Sequence, residues 1–140
     1  MDIAALIAWV ATALGGFYML GTWLSHGGAR GGTSRLPVPV VFGHFALAAV
    51  GLVVWIVYVV TDEDALAWTA FGLLLPVALL GFTMLARWIP VHRDRAAAPA
   101  SPEQSAPAER HFPVPVVAVH GLAAVTTVVL VLLTALGIGE

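Results

Sequence analysis

Two histidines lie inside otherwise apolar stretches of the 140-residue chain, and the same short motif precedes each of them. Residues 36–44 read LPVPVVFGH and residues 112–120 read FPVPVVAVH, so both contain the pattern P-V-P-V-V-x-x-H. A neutral imidazole offers one ring nitrogen as a ligand for a transition metal or for haem iron. The repeated motif therefore predicts a site in which His44 and His120 act together.

Composition places this pair of histidines in a membrane. The chain is 60% hydrophobic and 10% charged, and its mean hydropathy is +0.95, which is far from the balance of soluble domains. About 20 apolar residues in a helix span the hydrocarbon core of a bilayer. Four such stretches are present, at about 3–24, 38–60, 65–89 and 112–137. The sequence therefore predicts an all-α integral membrane protein with four transmembrane helices.

A second repeated block extends the internal repeat. Residues 16–24 read GFYMLGTWL and residues 81–89 read GFTMLARWI, with the shared pattern G-F-x-M-L-x-x-W-[LI]. The unit is a helical hairpin present twice, at about 3–60 and 65–137, within a single domain over 1–140. Corresponding helices run in the same direction, which predicts an up-down bundle with a pseudo-two-fold axis along the membrane normal. Parallel repeats place a shared site at their interface.

The distribution of charge predicts the orientation. All six arginines lie in or beside the connections between helices 1 and 2 and between helices 3 and 4, whereas the termini and the remaining connection carry only acids. By the positive-inside rule, the two basic connections are cytoplasmic and both termini lie outside. The absence of lysine, with abundant Ala, Gly, Val and Arg, suggests a GC-rich bacterial genome and hence a bacterial inner (plasma) membrane.

Two local expectations follow from this topology. Segment 90–111 is rich in Ala, Pro, Ser and Glu, a composition that cannot bury a core, so we expect a flexible cytoplasmic loop there. Trp23 ends the first apolar stretch and is expected to act as an anchor at the membrane interface.

Helical geometry places the two histidines at one depth. Each lies seven residues after a helix-starting proline, Pro37 or Pro113, and hence about 10 Å into its helix. Helices 2 and 4 of an up-down bundle lie on a diagonal roughly 14 Å long, which leaves room for a ligand between two inward-pointing imidazoles. Gly16 and Gly81 of the flanking helices lie near the same depth and would leave space for a flat ligand.

This arrangement resembles that of membrane b-type cytochromes, in which histidines on two parallel, diagonal helices of a four-helix bundle hold haem. The resemblance covers the bundle layout and two residues. It implies one haem b with His44 and His120 as axial ligands, and a role in electron transfer or haem handling. Di-haem members carry two histidines on each ligand helix, whereas each helix here carries one. The anionic propionates would need cationic partners, for which the candidates are Arg35, Arg87 and Arg110.

Other interpretations stay open at this stage. A copper site could use Met19 and Met84 together with the two histidines, because thioethers and imidazoles suit copper. The histidines could instead simply form hydrogen bonds with neighbouring groups. The chain would then be a non-catalytic subunit or scaffold of a larger membrane complex. Expected partners are the lipid bilayer, a redox or membrane-complex partner and a second copy of the chain.

Several function classes are disfavoured by residues that the chain lacks. There is no cysteine, so disulfides and thiolate metal sites are excluded. The apolar stretches carry no carboxylate, lysine or arginine away from their ends, and such groups are typical of proton pumps and ion-coupled transporters. Neither basic connection is dense enough in charge for nucleic-acid binding.

The predicted orientation can be tested with single cysteines introduced at Ser101 and Glu63. In intact cells, a membrane-impermeant maleimide should label Glu63→Cys, because the acidic connection faces outward. Ser101→Cys should react only after the membrane has been permeabilised. Labelling of Ser101→Cys from the outside of intact cells would reverse the orientation.

Overall fold

A computed structural model of the chain describes residues 1–30, 34–97 and 106–138, without the side chains of residues 95–97. It is all-helical, and the four long helices are α1 (Asp2–Ser25), α2 (Val38–Thr61), α3 (Asp64–Ala97) and α4 (Val114–Ala135). A short 3-10 helix, Ala108–His111, precedes α4. All four long helices are long and apolar enough to cross a membrane, which confirms an all-α protein with four candidate membrane spans.

The repeated prolines start α2 and α4 in the same way. Pro37 and Pro113 are the N-cap residues, with extended backbone angles (φ −65° and −68°, ψ 128° in both). A second proline follows in the first turn of each helix, where a backbone N–H would have no intrahelical acceptor. The motif therefore sets the starting point of both histidine-bearing helices.

The four helices form a ring in which α1 and α2, α2 and α3, α3 and α4, and α4 and α1 are neighbours. Packing is most extensive between α2 and α3 and between α1 and α4. No Cα of α2 lies within 8 Å of a Cα of α4 in the described parts of the two helices, so the histidine-bearing helices are diagonal. The most extensive helix pairs thus join the two sequence repeats rather than the helices within one repeat.

Buried side chains form two separate clusters, one toward each end of the bundle. The acidic-end cluster lies toward the end of the bundle that carries Asp2 and the connection 62–64. It contains Ala5, Trp9, Trp55, Tyr58, Ala67, Ala70, Leu74 and Val131. The basic-end cluster lies where α2 and α4 begin, and it contains Trp23, Leu36, Val41, Trp88, Ala108 and Phe112. The level between the clusters is the level of His44 and His120.

The structure differs from the sequence prediction in segment 90–111. Helix α3 continues without interruption through Pro90 to Ala97, because its buried face continues too: Val91 is only 3% exposed, next to the buried Trp88. The 3-10 helix Ala108–His111 packs against α1 and α3 instead of forming part of a flexible loop. Residues 98–105 of this segment lie outside the described residues.

Trp23 is buried rather than placed as an interfacial anchor. It is 1% exposed and belongs to the basic-end cluster. Its indole Nε1–H donates to Ser34 Oγ at 2.9 Å, and the backbone of Gly28 passes directly over its ring. The indole thereby ties the end of α1 to the segment that leads into α2.

Gly28→Ala should destabilise the protein because the new Cβ would overlap the Trp23 ring. Overpacking of this kind costs about 1–3 kcal/mol, which thermal unfolding in detergent would detect as a lower Tm. The matched control is Gly21→Ala, since a Cβ there meets nothing within 4 Å and alanine favours helix. Equal Tm values for the two variants would contradict this account of Trp23.

Candidate functional site

His44 turns from α2 toward α3 and bonds to the main chain of that helix. Its Nδ1–H donates to the carbonyl oxygen of Val77 at 2.9 Å. The imidazole edge lies against Gly81, where an added Cβ would come within 3.3 Å of the ring Cε1. The half-buried ring is therefore held by one polar contact and one close backbone contact.

His120 makes the corresponding contacts between α4 and α1. Its Nδ1–H donates to the carbonyl oxygen of Thr12 at 2.9 Å. A Cβ added at Gly16 would lie 3.3 Å from Cε1, and one added at Gly15 would lie 3.4 Å from the histidine Cβ. Each imidazole thus crosses to the helix of the other sequence repeat.

The glycines explain why these two carbonyls are accessible. In an α-helix the carbonyl of residue i already accepts the N–H of residue i+4, but its oxygen has a second lone pair. The side chain at i+4 leans back over that oxygen, and Gly16 and Gly81 are the i+4 residues of Thr12 and Val77. The space that the sequence analysis assigned to a flat ligand beside these glycines is occupied by the imidazole rings themselves.

The hydrogen bonds also fix which ring nitrogen is free to act as a ligand. A carbonyl oxygen only accepts, so Nδ1 carries the proton in both rings and Nε2 of the neutral imidazole keeps its lone pair. A main-chain carbonyl is a usual partner for the second nitrogen of a metal-bound histidine. The centroids of the two rings are 6.4 Å apart, and their planes are inclined by 57°.

Hydroxyl groups near His120 are already satisfied by their own helices. The hydroxyls of Thr12 and Thr127 donate to the carbonyls of Ala8 and Ala123, both at 2.8 Å. Across the described residues, no buried side-chain nitrogen or oxygen lacks a hydrogen-bond partner. The hydroxyl protons at this level are thus donated, and each imidazole keeps an Nε2 lone pair that its Nδ1 hydrogen bond does not use.

The copper alternative depends on two methionines that lie beside the basic-end cluster. Met19 and Met84 are half-buried and pack against that cluster. In the part of the chain that the structure describes, no group of three or more His, Cys, Asp or Glu side chains could hold a metal ion. Among these residue types, His44 and His120 therefore have no third candidate ligand within the described residues.

The structure brings together two of the three arginines that the sequence analysis selected. Arg87 donates from its guanidinium to the Arg35 carbonyl oxygen at 3.1 Å, and Arg35 lies 3.6 Å from the Asp94 carboxylate. Both arginines line a cleft of about 530 Å³ at the basic end. Arg110 belongs to the 3-10 helix and does not line this cleft.

Sequence reasoning missed Glu109, a carboxylate that is completely buried in the 3-10 helix. Its Oε2 accepts the Ser34 hydroxyl at 2.8 Å, and its Oε1 accepts the Arg35 backbone N–H at 2.6 Å. Its carbonyl oxygen accepts the indole N–H of Trp88 at 3.2 Å. Nothing in the sequence separates Glu109 from Glu103, which belongs to the same polar segment.

Comparisons with family models, curated proteins and solved structures find no match to this chain.

Glu109→Ala should lower the stability of the protein by about 1–3 kcal/mol, because it leaves the Ser34 hydroxyl and the Arg35 N–H without their acceptor. Glu109→Gln keeps one acceptor oxygen and should lie between the wild type and the alanine variant. Urea or thermal unfolding in detergent provides the measurement. Glu63→Ala, which removes an exposed carboxylate, is the control, and a loss as large as that of Glu109→Ala would contradict the assignment.

Proposed function

We propose that this chain is a membrane b-type cytochrome-like protein that binds one haem through His44 and His120, for electron transfer or haem handling. One observation carries the proposal: both rings use Nδ1–H on a main-chain carbonyl of a neighbouring helix. This leaves Nε2 of each ring, with its lone pair, as the ligand atom. The two rings lie on diagonal helices, and their centroids are 6.4 Å apart.

The separation of the two rings, 6.4 Å between centroids, is of the size that one shared metal ion would require. Two imidazoles that share a metal ion through one nitrogen each, at about 2 Å, have ring centroids roughly 6 Å apart. Paired histidines on helices that face each other across a bundle are also a common way to hold a cofactor in a bundle core. Haem bound there would supply a one-electron Fe(II)/Fe(III) couple, whose potential depends on axial ligands, burial and hydrogen bonding.

The protein's own residues would orient and enclose the site. Hydrogen bonds from Nδ1 to the carbonyls of Val77 and Thr12 limit rotation of the rings and raise the basicity of Nε2. The two buried clusters close the bundle above and below this level.

The paired contacts support a pseudo-two-fold relation between the hairpins, with its axis along the membrane normal. Three pairs of positions are equivalent in the two repeats: His44 and His120, Val77 and Thr12, and Gly81 and Gly16. With the orientation given by the arginines, the site lies in the cytoplasmic half of a bacterial inner membrane, and both termini lie outside.

Arg35 and Arg87 are the proposed partners of the haem propionates. Arg87 follows Gly81 by six residues on α3 and hence lies about 9 Å further toward the basic end. Its side chain already contacts the main chain of Arg35, so both positive charges lie at one edge of the bundle. Arg110 remains a third candidate from the 3-10 helix.

Visible spectroscopy of protein expressed with ample haem tests the proposal. The wild type should show low-spin b-type bands that sharpen on reduction, and His44→Ala or His120→Ala should abolish them, because one imidazole cannot maintain six-coordinate iron. His92→Ala is the control and should keep the spectrum, because His92 stacks on Trp88 away from the pair.

Two further comparisons separate this proposal from its alternatives. Gly81→Leu should reduce haem occupancy by covering the Val77 carbonyl. Gly72→Leu on the same helix should not, because a Cβ added at Gly72 meets nothing within 4 Å. Met19→Leu and Met84→Leu should leave a haem spectrum intact but would weaken copper binding. A wild-type protein that binds neither haem nor copper would favour the scaffold interpretation.

A further inference from the structure

A second pair of histidines meets at the basic end, outside the histidine level of the bundle. The rings of His26 and His111 are stacked, with their centroids 3.7 Å apart and their planes inclined by 14°. Both residues are exposed. His26 is the C-cap of α1 and His111 is the last residue of the 3-10 helix, so the contact joins two elements that are far apart in sequence.

Both of these rings also have one nitrogen committed to a carbonyl. Nδ1–H of His26 donates to Thr22 O at 2.8 Å, and Nδ1–H of His111 donates to Ala108 O at 3.2 Å. Because a carbonyl cannot donate, the proton of each neutral ring is on Nδ1, and Nε2 has a free lone pair. Two imidazoles of the same tautomer are thus in contact at the protein surface.

The end of α1 favours a cation at this position. The carbonyls of the last turn give a helix C-terminus a partial negative charge, and the last turn of α1 contains no basic residue. Arg110, next to His111 in sequence, brings a positive charge that opposes a bound cation. These two effects act in opposite directions on a bound cation.

We propose that His26 and His111 form a divalent transition-metal site at the basic end of the bundle, separate from the His44–His120 pair. Imidazole nitrogen suits zinc, copper and nickel among such ions. Two protein ligands leave the remaining coordination positions to water. Because His111 lies two residues from the buried Glu109, a bound ion would tie the end of α1 to the turn that closes the bundle.

Metal binding requires the stacked rings to open. Each Nε2 lone pair lies in the plane of its own ring, and the two planes are nearly parallel, whereas ligands of one ion must converge on it. Rotation about the terminal torsion of a histidine is soft, and both rings are exposed, so a change of ring angle acts mainly against the Nδ1 hydrogen bonds to Thr22 and Ala108. The ring contact brings the ligands within reach, and the metal sets their final angle.

Zinc titration of the detergent-solubilised full chain against a competing chelator dye tests the site. Four proteins are compared: the wild type, His26→Ala, His111→Ala and His92→Ala. Zinc held elsewhere on the chain is common to all four and cancels in the comparison. Each of the two site variants should bind zinc at least tenfold more weakly than the wild type, and His92→Ala should match the wild type.

Thermal unfolding supplies an independent readout. Saturating zinc should raise the Tm of the wild type and of His92→Ala, because an ion that binds only the folded state stabilises it. The two site variants should show no such shift. Equal zinc affinity in all four proteins, or loss of affinity in only one of the two site variants, would overturn the proposal. Neither outcome depends on whether haem binds to His44 and His120.

Discussion

An imidazole N–H inside an apolar bundle needs an acceptor, and the rest of this structure depends on how that need is met. Unsatisfied polar groups are costly in a hydrocarbon environment. The protein uses main-chain carbonyls that glycine leaves uncovered. Each hydrogen bond requires close approach of two helices, and the two bonded helix pairs are also the most extensively packed.

Buried polar groups also need partners at the basic end. There the acceptor is a carboxylate instead of a main-chain carbonyl beside a glycine. Glu109 is buried without an arginine or lysine side chain among its described partners; it accepts a hydroxyl and a backbone N–H, and its own carbonyl accepts an indole. These contacts join the segment before α2 to the turn before α4 and to α3, and the indole of Trp23 joins the same segment to the end of α1. The bundle thereby has two polar fixing points, one at the histidine level and one at its basic end.

The sequence predicts those parts of the structure that depend on local pattern. The four apolar stretches give the helices to within about two residues at most ends, and the proline motif gives the starts of α2 and α4. The sequence does not predict the extension of α3 to Ala97, because Pro90 and the polar residues after it are typical of a helix end. The buried face of the helix nevertheless continues to Val91. The composition of a segment cannot show which of its residues will meet a distant partner.

Parts of the candidate site were missed for that same reason. The two histidines and the two glycines stand out because they recur, but their pairing is set by tertiary contact between α2 and α3 and between α4 and α1. Glu109 and the stacked pair His26–His111 carry no recurring signal and become visible only when the turn before α4 packs against α1. Trp23 has the residue type and position of an interfacial anchor, and only its neighbours show that it is buried.

The pairing of helices across the repeats has a consequence for biosynthesis. Helices enter the membrane in chain order, and the hydrogen bond of His44 closes a separation of 33 residues between adjacent helices. The hydrogen bond of His120 closes a separation of 108 residues, between the first helix made and the last. Non-local contacts form late because the chain between them must be ordered first. The pair α2–α3 can therefore assemble early, whereas the most extensive contacts of α1, those with α4, can form only after the last helix has been made.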